Sequence, residues 1–68
     1  MTNTELLEQR IKESGIKRCV IAEKCGIDQR TLRNKIRGKS EFTASEIVAL
    51  SRILSLTGKV RDEIFLAS

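Results

Sequence analysis

Apolar residues recur at helical spacing in five short runs, separated by glycine, serine and threonine. Leu7, Ile11 and, at its edge, Leu6 give the first run one apolar face. Thr2 and Glu5 precede it with capping-box spacing, and Ser14-Gly15 ends it, with Gly15 placed for a left-handed C-terminal turn. A second helix is predicted over about residues 17–25, with Ile21, Ala22 and Cys25 on its inner side and Gly26 as its stop. Asp28 is a good N-cap for a third helix running to about residue 37, which Gly38 stops. The following loop carries one aromatic expected in the core, Phe42. Thr43 and Glu46 form a second capping-box signature, opening a fourth helix that turns Ile47, Leu50 and Leu54 inward, with Ile53 beside them. Thr57-Gly58 separates it from a last short helix carrying Val60, Ile64 and Phe65. The expected fold class is all-α. No internal repeat, low-complexity stretch or linker is evident.

Sixty-eight residues leave room for one domain, expected to span residues 1–68. A domain of this size buries only about 60% of its unfolded surface, so the core must be modest. There is no Pro, and Gly occurs only four times, which favours a compact helical protein over disorder. The chain has no His, Trp or Tyr and two Phe. Without His it lacks the commonest general base and the commonest metal ligand. Few aromatics also argue against binding single strands or RNA by base stacking. With no metal cluster, no phosphate-cradling glycine loop and no nucleophile beside a base, an enzyme ranks last among the function classes. No cofactor, metal or small-molecule ligand is expected. The polar, acidic start is no signal peptide, and no apolar run approaches membrane-spanning length, so a cytoplasmic location is the default. Cys19 and Cys25 fit that expectation. On one helix they are separated by a rise of about 9 Å, too far for a disulfide. Cys25 is expected to pack as a small apolar residue and Cys19 to be partly exposed, a plain thiol being favoured over a redox sensor.

Charge changes the picture. Residues 17–39 hold eight basic side chains against two acidic ones, a net +6, while the whole chain carries +4. All the positive excess therefore lies on the second and third helices, which suggests a polyanion partner, double-stranded DNA first among them. Charge alone fits an ordinary solvated helix face better; the glycine turn and the inner-face pattern tip the balance toward DNA. At about 100° per residue, Leu32 and Ile36 define the inner face of the third helix. Arg30, Asn34 and Arg37 point away from it, with Gln29 and Arg33 on one flank and Thr31 and Lys35 on the other. Arg suits guanine, and Asn or Gln suits adenine, by bidentate bonds to base edges. Surface solubility, or for the arginines a bond to Glu41, is the plainer role for Arg33 and Arg37.

The segment IAEKCGIDQRTLRNKIRG resembles the helix-turn-helix of the Cro and phage-repressor (XRE-like) family, through Ile21, Ala22, Gly26, Ile27, Leu32, Ile36 and Gly38. The tail KSEFTASEIVALSRILSLTGKVRDEIFLAS is similar to small phage-encoded regulators of that family. The resemblance implies a five-helix lambda-repressor-like DNA-binding domain, with its helix-turn-helix over about residues 17–37. It implies that Gln29, Arg30 and Asn34 read bases in the major groove. It further implies that Arg18, Thr31, Arg33, Arg37, Lys39 and Ser40 meet phosphates, with Arg18 within reach of Gln29. Two residues depart from the family pattern. Lys35 replaces a buried aliphatic, and Lys17 replaces the Ser or Thr that usually caps the second helix.

The reading that follows is a sequence-specific transcriptional regulator, Cro-like or repressor-like. The alternative is a protein-interaction module on the same fold, such as an antirepressor-like partner or an antitoxin component. Ile64-Phe65-Leu66 exceeds what one short helix need bury, which leaves a homodimer contact open.

Overall fold

Helix ends set the architecture, because each end must satisfy backbone groups that the helix itself leaves open. In the computed structural model, which describes residues 2–66, five α-helices and no strand occur among the described residues. They are α1 (Thr4–Ser14), α2 (Arg18–Cys25), α3 (Gln29–Ile36), α4 (Ala44–Ile53) and α5 (Gly58–Phe65). None is long and apolar enough to cross a membrane. Asp28, Thr43 and Thr57 cap α3, α4 and α5 through side-chain oxygens, and the Thr43–Glu46 capping box is complete in both directions. Lys17 precedes α2 with no side-chain bond to its first turn.

The first cap differs from the sequence expectation. Asn3, not Thr2, caps α1, its Oδ1 accepting from the Leu6 N–H at 3.2 Å. The reason is long-range. The Asn3 N–H donates to the Ile64 carbonyl of α5 at 2.6 Å, which holds Asn3 outside the helix in an extended conformation.

The turn between α4 and α5 also differs. Gly58 does not terminate α4; it is the first residue of α5. The left-handed position that closes α4 belongs to Ser55, at φ 54°. Its N–H bonds to the Arg52 carbonyl, and the Leu56 N–H to that of Ser51, the double bond of a Schellman ending. A non-glycine residue there costs about 1–2 kcal/mol, while glycine costs about 0.5–1 kcal/mol in chain entropy. Ser55→Gly is therefore expected to stabilise the domain by about 0.5–1 kcal/mol, a rise of a few degrees in Tm. A lower Tm would mean that the serine side chain makes a compensating contact.

Leu7, Ile21, Leu32, Ile36, Leu50 and Ile64 are the largest fully buried side chains, and every helix contributes at least one. Packing pairs α2 with α3 and α4, α1 with α3 and α5, and α4 with α5. Phe42 is buried as expected and meets Phe65 edge to face, ring centroids 5.5 Å apart, so the loop after α3 is anchored to α5. Ile64 and Phe65 are consumed by this core. Of the apolar end, only Leu66 remains exposed, at 70%.

Candidate nucleic-acid interface

The basic helix α3 is held on every side but one. At its start, Asp28 Oδ1 accepts the Thr31 N–H at 2.6 Å. Hydrogen bonds from Thr31, and then the proximity of Arg30, keep the Asp28 carboxyl below its ordinary 3.8. Its inner face is Leu32 and Ile36, each 1% exposed. At its end Gly38 takes φ 82°, so the Gly38 N–H reaches the Lys35 carbonyl and the Lys39 N–H reaches that of Asn34. The other end of the basic unit is just as sharp. Gly26, at φ 75°, lets the Ile27 N–H bond to the Ala22 carbonyl, so α3 follows α2 after three residues.

Lys35 is the fourth restraint. Its Nζ lies 2.6 Å from Glu46 Oε1 at the start of α4, and both side chains are nearly buried, 12% and 10% exposed. The same oxygen accepts the Thr43 N–H at 2.8 Å. Burial pushes the Glu46 carboxyl up, but the bonds from Lys35 and Thr43 outweigh it and leave it below its ordinary 4.5. One carboxylate thus completes the cap of α4 and fastens α3 to it. Lys35, counted at first with the basic residues, is spent internally. Cys25, half-buried, has its thiol pushed up by burial and by the charge of Glu46. Cys19 is exposed.

What remains outward on α3 is Gln29, Arg30, Arg33 and Arg37, all exposed, with Thr31 and Asn34 half-buried beside them. Lys39 and Ser40 are exposed in the loop that follows. Among the described residues the ion pairs are Lys35–Glu46 and Arg61–Asp62. The bond to Glu41 considered for Arg33 and Arg37 is therefore not made, and Arg18, Arg30, Arg33 and Arg37 keep their guanidinium charge unpaired. The reach from Arg18 to Gln29 is not made either. Arg18 instead joins Arg33 and Arg37 along a cleft of about 430 Å³, floored by Ile36 and bordered by Glu8 of α1.

The face therefore divides in two. Gln29, Arg30 and Asn34 are the residues that the family resemblance implies for base reading, and none of them lines the cleft. Arg18, Arg33 and Arg37 converge in the cleft. The place of Glu8 and the pairing of Glu46 with Lys35 were missed in the sequence, for different reasons. Glu46 carried a signal, since it closes a capping box and Lys35 stood at the edge of the inner face. Glu8 carried none, because its place depends on how α1 crosses α3. The chain matches no family model, no curated protein and no solved structure.

Proposed function

We propose that this protein is a sequence-specific, double-stranded DNA-binding transcriptional regulator with a lambda-repressor-like helix-turn-helix. The observation that carries the reading is the state of α3. It is rigidly seated by Leu32, Ile36 and the Lys35–Glu46 pair, yet it turns Gln29, Arg30, Arg33 and Arg37 to solvent with no carboxylate partner. A solvated face needs no such seating, whereas a helix that reads base edges must be held in one register. In this reading α3 enters the major groove. Gln29, Arg30 and Asn34 meet bases, and Arg18, Thr31, Arg33, Arg37, Lys39 and Ser40 meet phosphates.

The regulator acts as a dimer. A groove of about 280 Å³ between α4 and α5 is lined by Ala44, Ile47, Val48 and Phe65, with Leu66 standing beside it. Val48 is 48% exposed and Leu66 70%, so the chain offers both a knob and a slot. Arg61 and Asp62 are adjacent at its rim, an arrangement that a two-fold axis can match against itself. The same groove is what favours the alternative, a protein-interaction module whose partner is another protein.

Selection from random duplex DNA, followed by titration at two salt concentrations, tests the reading. The expected product is a pair of inverted half-sites about 34 Å apart. Affinity should fall steeply with salt if roughly six or more phosphates are held. Recovery of no enriched sequence would leave the interaction module as the surviving account.

A further inference from the structure

Two clefts flank the same pair of residues. The first, already described, runs from Glu8 and Arg18 to Arg33 and Arg37. The second, of about 490 Å³, is lined by Glu8 and Arg18 again, with Lys12, Gly15 and Lys17. Because Glu8 and Arg18 line both, the two clefts adjoin as a trough beside α1 and the start of α2. Five cations line it, Lys12, Lys17, Arg18, Arg33 and Arg37, against the single carboxylate Glu8. None of the five is in a salt bridge among the described residues. Lys12 and Lys17 are exposed, and α2 starts beside them with no side-chain cap.

We infer that the backbone-binding surface continues beyond α3 along this trough. Lys12 and Lys17 hold phosphates of the DNA that flanks the half-site, and Glu8 is an opposing charge that limits the grip. The inference rests on the DNA-binding reading. A phosphate strand held in the Arg18 cleft lies beside the second cleft, whose charged lining is basic but for Glu8. Lys12 and Lys17 stand off the outward side of α3, so their contribution carries no sequence preference. Glu8, unpaired and facing three guanidiniums, weakens every duplex alike by repelling the backbone.

The test uses the full chain and two duplexes, the selected site and a scrambled one, each with long flanks and with flanks trimmed to the half-sites. Lys12→Gln and Lys17→Gln are each expected to reduce the slope of log affinity against log salt by about 0.9 on long-flanked DNA. They should weaken both long-flanked sequences by the same factor and matter less on trimmed DNA. Glu8→Gln should tighten both. Unchanged slopes in the lysine variants, or weaker binding by Glu8→Gln, overturn the inference while the DNA-binding reading stands. If the wild-type chain binds neither duplex, both fall together. The three side chains are exposed, and thermal melts check that each variant is folded.

Discussion

Arg30→Ala is expected to weaken binding to the selected duplex by about 5- to 150-fold, the equivalent of the 1–3 kcal/mol carried by one bidentate base contact. Binding to a scrambled duplex should change far less. The contrast follows from where Arg30 stands. It is exposed, on the outward side of α3, and outside the cleft that gathers Arg18, Arg33 and Arg37. Losing a phosphate ligand lowers affinity for every sequence together, whereas losing a base reader lowers it for one. Arg33→Ala is the internal comparison and should weaken both duplexes by similar factors. Fluorescence anisotropy with both duplexes at one salt concentration measures the difference. Equal losses in Arg30→Ala on the two sequences would reassign Arg30 to the backbone and leave the reading of bases to Gln29 and Asn34.

The second large effect is on stability. Lys35→Ala strips the partner from a carboxylate that is nearly buried. Breaking a fully buried pair in this way costs about 3–5 kcal/mol. Here Glu46 keeps the Thr43 N–H and some access to water, so about 2–3 kcal/mol is expected. In a domain of this size that is a fall in Tm of roughly 10–20 °C. The double variant Lys35→Met with Glu46→Gln should recover most of it, because glutamine still closes the capping box and methionine fills the lysine stem's space. If Lys35→Ala melts like the wild type, the pair does not hold α3 against α4.

Acid should act on the same joint. The folded Glu46 carboxyl lies below its ordinary 4.5, so its contribution is complete above that pH and is lost as the pH falls through the folded value. Asp28 at the start of α3 is depressed likewise and adds to the loss in the same direction. In the wild-type chain the Glu46 joint therefore loosens below about pH 4.5 and the Asp28 cap below about pH 3.8. Lys35→Ala, already lacking the pair, should lose less stability across that window.

These two results depend on different kinds of information. Helix existence was legible because it is written locally. Asp28, Gly15, Gly26, Gly38 and the Thr43–Glu46 box each act within a few residues, and each occupies the role its sequence neighbours assign. Where the reading slipped, the deciding contact came from elsewhere. Thr2 lost the first cap because Asn3 is tied to α5, and the break placed at Thr57-Gly58 lies earlier, because Ser55 takes the left-handed position at a cost that residue type alone does not announce. The outward set of α3 could be phased from Leu32 and Ile36, so exposed Arg30 and Arg37 emerged from the sequence alone, whereas Asn34, phased outward with them, is half-buried. The trough could not, since it joins α1 to α3 through Glu8 and Arg18.

The bond from the Asn3 N–H to the Ile64 carbonyl bears on how the protein is born. Residues 17–39, the entire basic stretch, are synthesised before α4 and α5. At that stage α1 has no α5 to dock on, Glu46 has not been added to hold Lys35, and Leu32 and Ile36 lack Leu50 and Phe65 as core companions. Synthesis at about 5–20 residues per second delivers the missing helices within several seconds. Until then the basic stretch is made but α3 lacks the partners that seat it. The Asn3–Ile64 bond can close only once Ile64 has been added, so the first helix waits for the fifth before it is tied in place.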